Sequence, residues 1–221
     1  KLLGGQKISV ERADSTCVDS AAATTAAEGL ISNGVVAIMG ADCSGVTGAI
    51  ATNVAVPNGV VMISPSATSP GLTDLNDNGY FFRTAPSDAR GGQILADITK
   101  DRKVKSVAIT YTNNDYGKGL ADVYKAAVEA HGIKVTTVAA HEDGKADYSA
   151  EVATLASAGG DAVAVIGYID QGGKGIIQAS LDSGAFDVFI LSDGMIGDSL
   201  TDNFGKALNK SFGSFPGSTG K

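Results

Sequence analysis

Short apolar runs alternate with longer stretches of mixed polarity along nearly the whole chain. Val35-Val36-Ala37-Ile38-Met39 is an apolar run long enough for a buried strand. Gly59-Val60-Val61-Met62-Ile63-Ser64, ended by Pro65, is a second. Residues 7–11 alternate and predict another strand, as do residues 80–84, 106–111, 133–139, 162–166 and 188–191. Between these lie predicted helices over 19–31, 46–55, 91–99, 116–130, 148–158 and 173–183, with a last one over 200–208. Ser44 is the expected N-cap of the second helix and Asp147 of the fifth. Asn33-Gly34, His131-Gly132 and Gly159-Gly160 are the expected stops. Strict alternation of strand and helix predicts parallel α/β sheets with right-handed crossovers.

Composition narrows the classes. With 221 residues, 43% of them hydrophobic, the chain suffices for one large domain or two small lobes. The 29 glycines suit a fold with many tight turns. A net charge of −7 with no basic stripe argues against nucleic acid as a partner. No apolar run approaches the roughly 20 residues needed to span a bilayer. The opening residues, Lys1-Leu2-Leu3-Gly4-Gly5, do not read as a signal peptide.

Chemistry gathers between residues 40 and 70. The predicted strands ending at Met39 and Ser64 are each followed by small hydroxyl residues, Ser44 after the first and Ser66-Ala67-Thr68 after the second. Ligands of open α/β sheets sit beyond the carboxyl ends of strands, and a helix start favours an anion. Ser44 and Thr68 are therefore candidates to share one carboxylate. The plainer reading is that both are caps and turn formers. Cys17 and Cys43 each follow a predicted strand, so they are either a disulfide or two unrelated thiols. Two Cys and two His at these spacings give no zinc site. No nucleotide loop follows a strand, and Gly217-Ser218-Thr219-Gly220-Lys221 lacks the glycine spacing of a phosphate loop. No Ser elbow or nucleophile–His pair marks an enzyme. His131 and His141 read as exposed turn residues; Asp14, Asp74, Asp88 and Asp115 read as turn or cap carboxylates.

Several motifs then converge. Gly40–Thr47 runs G-x-x-C-S-x-x-T, Met62–Thr73 runs M-I-S-P-x-A-T-x-P-x-L-T, and Phe82-Arg83-Thr84 follows. Asp115-Tyr116-Gly117-Lys118-Gly119, Gly167-Tyr168 and Ser192-Asp193-Gly194 complete the set. Together they make the chain resemble the periplasmic branched-chain (Leu/Ile/Val) amino-acid-binding proteins, which have the type I periplasmic-binding-protein fold of ABC importers. The resemblance implies a two-lobed α/β protein with a parallel, doubly wound sheet in each lobe. It implies a partial N-terminal lobe over 1–86, a second lobe over 87–213, and a crossover back to the first lobe beginning at 214–221. It also implies that the chain is shorter than the family at both ends. A Cys17–Cys43 disulfide, and with it an oxidising compartment, follows from the same resemblance.

The implied ligand is an amino acid held between closing lobes, with no cofactor and no metal. Ser44 and Thr68 then serve its carboxylate. Ser66, Thr68 and Asp193 serve its ammonium, and Asp42 and Ala67 lie in the pocket wall. Tyr116 and Tyr168 close over the ligand from the second lobe. Family members often carry Glu where Asp193 stands, so the reach here is one methylene shorter. The implied partner is the membrane permease of an ABC importer, and the implied protein is a periplasmic monomer that breaks no bond. A sensor of amides or small organic acids on the same fold is the alternative.

Overall fold

The computed structural model describes residues 4, 5 and 7–217, which form two compact units. The first comprises the described residues up to Ala67 together with Asp74–Ala85. The second comprises Thr68–Thr73 and the described residues from Pro86 onward. Residues 1–3, 6 and 218–221, and with them most of the Gly217-Ser218-Thr219-Gly220-Lys221 stretch, lie outside the described residues.

In the first unit, helix α1 (Ser20–Ser32) starts at Asp19, whose carboxylate accepts from the Ala21 and Ala22 amides. Strand β1 (Ala37–Met39), helix α2 (Ser44–Ile50), strand β2 (Val61–Ser64) and strand β3 (Phe81–Arg83) follow. The strands are parallel in the order β1-β2-β3. Helix α2 runs on into a π-helical turn, Ala51–Ala55, that packs on β2, and α1 packs on both. Ile38, Met62 and Phe81 are in register and buried on one face. Met39, Ile63 and Phe82 form the adjacent row on the other face and are 89%, 41% and 52% exposed.

The second unit alternates α3 (Asp88–Asp101), β4 (Ser106–Thr112), α4 (Asp115–Ala130), β5 (Lys134–His141), α5 (Ser149–Ala158), β6 (Ala162–Ile166), α6 (Lys174–Ser183), β7 (Phe189–Leu191), α7 (Asp198–Phe204) and β8 (Phe212–Gly213). Its sheet is parallel throughout, in the order β5-β4-β6-β7-β8. Side chains alternate between faces along each strand. Val107, Ile109, Ala162, Ala164 and Ile166 pack with Leu95, Leu120 and Tyr124 of α3 and α4. Ala108, Val163, Val165 and Phe189 pack with Val152, Leu155, Ile176 and Ile177 of α5 and α6. Helices on both faces make this a doubly wound parallel α/β sheet, as the alternation predicts.

Some expectations fail locally. Residues 7–11 are no strand: Ile8 and Val10 are 73% and 70% exposed. Alternation makes a strand only where a neighbour supplies ladder partners, and none lies alongside among the described residues. Ser44 is not the N-cap of α2. Cys43 holds that position, and Ser44 is the first helical residue. The cap of α4 is Asn114, which accepts from the Gly117 amide, so Asp115 lies in the first turn instead. Asp147 does bind the Ser149 amide, but the cap position of α5 belongs to Tyr148. His141 is 1% exposed at the end of β5, and His131 is half-buried against Asp97 at 2.7 Å. Asp88 is buried as well, in the first turn of α3 behind its cap Ser87.

Candidate functional site

In the first unit, the loops after β1 and β2 are tied together by one buried hydroxyl. Ser64 Oγ donates to the Ala41 carbonyl at 2.6 Å and accepts from the Ala67 amide at 3.0 Å. Beside it, the exposed Ser66 Oγ donates to the Asp42 carbonyl at 2.7 Å and also contacts the Asp42 carboxylate. The Ala67 amide is thus committed within the loop, and the Ala67 carbonyl takes Arg83 at 3.3 Å. Cys43 is bonded to Cys17 in a disulfide with a Cα–Cα distance of 5.4 Å. The cap side chain of α2 is therefore spent on a covalent link, and it makes no capping hydrogen bond. The pairing agrees with the one that the resemblance implies. Ser44 is buried immediately after it.

In the second unit, three sequence-predicted residues meet. Tyr116, in the first turn of α4, is 5% exposed. Its hydroxyl lies 2.6 Å from Asp193 Oδ1 and 3.0 Å from Ser192 Oγ, and it accepts from the Gly194 amide at 3.3 Å. A phenol has one proton, and the carboxylate is the stronger acceptor. Burial first, and then the Asp193 charge, push the Tyr116 phenol well above its ordinary value, so it remains a donor. Ser192 Oγ also accepts from the Gly167 amide at 3.2 Å, which joins the β6 and β7 loops. The half-buried Tyr168 ring stacks on Tyr116 with centroids 5.2 Å apart and planes at 25°. A Cβ at Gly194 would lie 2.4 Å from the Gly167 carbonyl oxygen, so only glycine lets these two loops approach.

Asp193 and Thr68 both line a cavity of about 140 Å³. Its walls are largely apolar, from Pro86, Ile94, Leu120 and Phe215. The buried Thr68 is anchored through its carbonyl, which accepts from the Asp88 amide at 2.9 Å. The arrangement offers a fixed carboxylate and a threonine beside an apolar space, with Tyr116 and Tyr168 outside the cavity lining. That is chemistry for holding a small cation-bearing organic molecule. Among the described residues no cluster of His, Cys, Asp and Glu would hold a metal ion, and no helix is long and apolar enough to cross a membrane.

Ser64, Ser192 and Gly194 are organising residues that lie inside the quoted motifs without an assigned role, and His141, expected as an exposed turn residue, is buried instead. Ser64 and Ser192 both stand at strand ends inside quoted motifs. That position, where a hydroxyl can join two loops, was the available signal.

The family model for the receptor family ligand binding region matches residues 1–214. A Leu/Ile/Val-binding protein homolog from Brucella melitensis is 39% identical over 144 residues, 62% of this chain and 39% of that protein. A leucine-binding protein from Thermotoga maritima superposes with a TM-score of 0.77 at 26% identity, covering 86% of this chain and 54% of that one. A branched-chain amino-acid transporter substrate-binding protein from Streptococcus pneumoniae, in complex with isoleucine, gives a TM-score of 0.74 at 26% identity over 89% and 56%. The chain spans 39% to 58% of the length of the first curated relatives it matches.

Proposed function

The chain belongs to the receptor family ligand binding region, with the branched-chain amino-acid-binding proteins among its relatives, and from that premise we propose that the whole protein is the solute-binding protein of an ABC importer, exported to the periplasm. Its ligand is an α-amino acid with an aliphatic side chain. The observation that carries this reading is the Asp193 carboxylate, held by Tyr116 at 2.6 Å beside the Tyr168 ring. Asp193 takes the ligand's ammonium. One of its oxygens is satisfied by Tyr116, which leaves the other for the charge pair. Tyr168 lends its ring face to the same cation. Thr68, which lines the same cavity, serves the ligand's carboxylate. The largely apolar cavity that Asp193 and Thr68 line suits an aliphatic side chain better than a charged one.

Binding here is followed by closure of two lobes and not by reaction. The closed form is what a membrane permease reads. No cofactor or metal takes part, and the protein works as a monomer.

A ligand panel tests the reading. Calorimetry with leucine, isoleucine, valine, glutamate, and leucine's deaminated analogue 4-methylpentanoate separates the roles. Saturable binding of the branched-chain amino acids, with 4-methylpentanoate at least ~30-fold weaker, is the expected result, because an unpaired Asp193 is costly. Equal affinity for 4-methylpentanoate refutes the ammonium role. Binding of amides or simple acids alone refutes the amino-acid assignment.

A further inference from the structure

His141 plays no part in the site as described, yet it sits beneath it. It is the last residue of β5 and is 1% exposed. Its Nδ1 lies 2.8 Å from Thr110 Oγ1 on the adjacent strand β4. Its Nε2 is buried and has no hydrogen-bond partner among the described residues. The Tyr148 ring meets the imidazole edge-on, with centroids 6.2 Å apart and planes at 84°.

The turn that presents Tyr168 is moulded over these two rings. A Cβ at Gly167 would lie 3.2 Å from His141 Nε2. A Cβ at Gly172 would lie 2.7 Å from the Tyr148 hydroxyl and 3.4 Å from His141 Cδ2. Gly167 directly precedes Tyr168, and Gly172 lies in the π-helical turn Ile169–Gly173 that Tyr168 begins. The Tyr148 hydroxyl lies 2.9 Å from the Glu142 carbonyl and 3.0 Å from the Gln171 carbonyl, and it accepts from the Lys145 amide at 3.2 Å. The loop after β5 is thereby stitched to the Tyr168 turn, with His141 at the seam.

The charges around the ring are Glu142, Asp143 and Lys145 of that loop, Glu151 of α5, and the exposed Asp170 of the turn, which pairs with Lys174. Asp143 is held by Thr112 at 2.8 Å, and Glu151 pairs with Lys145. Burial lowers the imidazole to about 4, against the opposing pull of Glu151 and Glu142. A proton on His141 would put a buried cation beside Gly167.

We propose that His141 is a positioning residue for the Tyr168 turn: its neutral ring seats Gly167 and Gly172, and its protonation releases the turn so that ligand binding weakens in acid. The proposal rests on the reading that Tyr168 faces the ligand.

The test follows the Tyr168 ring signals by NMR in tyrosine-labelled protein from pH 7.5 to 3.5, in wild type and in His141→Gln and His141→Phe variants. Far-ultraviolet circular dichroism verifies the fold at each pH. In parallel, calorimetry measures L-leucine affinity. In wild type, Tyr168 is expected to shift together with the His141 imidazole, and the leucine Kd is expected to rise about twofold between pH 6 and pH 4 and up to about fourfold by pH 3.5. In whichever variant stays folded, both changes are expected to flatten. Tyr168 signals that ignore the His141 titration, or that move identically in a folded variant, overturn the proposal. Loss of leucine binding at every pH, with the His141–Tyr168 coupling intact, refutes the proposed ligand instead and leaves the coupling standing.

Discussion

Strand β6 in the second unit is buried at all five positions, whereas β1 in the first unit is buried at one of three. Both belong to parallel sheets, which need cover on both faces. The second unit supplies that cover with α3 and α4 on one face and α5 and α6 on the other. Among the described residues the first unit covers the Ile38–Met62–Phe81 face and leaves the Met39–Ile63–Phe82 row open. The sheets also differ in how they hold their loops. The first unit uses a disulfide and a buried serine; the second uses a packed aromatic pair and a hydroxyl–carboxylate network. Packing density and loop precision therefore come from different sources in the two units, and each can be broken separately.

The largest effect is expected at Gly194. Gly194→Ala forces the β6 and β7 loops apart and should abolish measurable leucine binding, while denaturant unfolding still shows a cooperative transition. Retained affinity would mean that the loop approach is not needed. Next is the second core. Phe189→Ala, at a position 0% exposed, should cost about 3–5 kcal/mol in urea unfolding. The matching truncation Met39→Ala, at 89% exposure, should cost almost nothing. Equal losses would erase the contrast between the two sheets.

Removal of the disulfide by Cys17→Ser with Cys43→Ser should cost the first unit about 3.5 kcal/mol, from the entropy of the loop it closes. Amide exchange should rise in α1 and α2 and stay unchanged in β4 and β6. Uniform loosening of both units would contradict this.

The pH response is smaller and belongs to the second unit, which carries both histidines. The folded imidazole of His141 titrates below its unfolded value, so the unfolded chain binds the proton first as pH falls. Its stabilising contribution is whole above about pH 6.5 and is lost progressively toward pH 4. The total is roughly 3 kcal/mol. Urea melts of wild type and His141→Gln at pH 7 and pH 4.5 measure the difference. An unchanged pH dependence in the variant would show that other groups carry it.

The residues differ in how clearly their pattern announced them. Ala162–Ile166 is apolar at every position, which is the pattern of a central parallel strand, and its bounds were readable. The start of α2 was not readable, because the side chain at the cap position is committed to a disulfide and leaves no capping signature. Residues 7–11 show the converse, since alternation describes one strand and pairing needs two. Strand β8 has two residues, too few for any period. His141 read as a turn residue because Ala139-Ala140 gives no apolar signal that β5 continues, and its burial depends on Tyr148 and the Gly167 turn, both distant in sequence. For the site, the Tyr116, Tyr168 and Asp193 positions followed from motifs. Their supports, Ser192 and Gly194, became visible only when two loops were seen to touch.

The most direct test compares leucine affinity in wild type, Tyr116→Phe and Asp193→Asn by isothermal titration calorimetry at pH 7.5. The account predicts a loss of about tenfold for Tyr116→Phe, which frees Asp193 from its anchor. It predicts a loss of at least ~30-fold for Asp193→Asn, which removes the ammonium's counter-charge. Wild-type affinity in Asp193→Asn would contradict the central claim that this carboxylate receives the ligand.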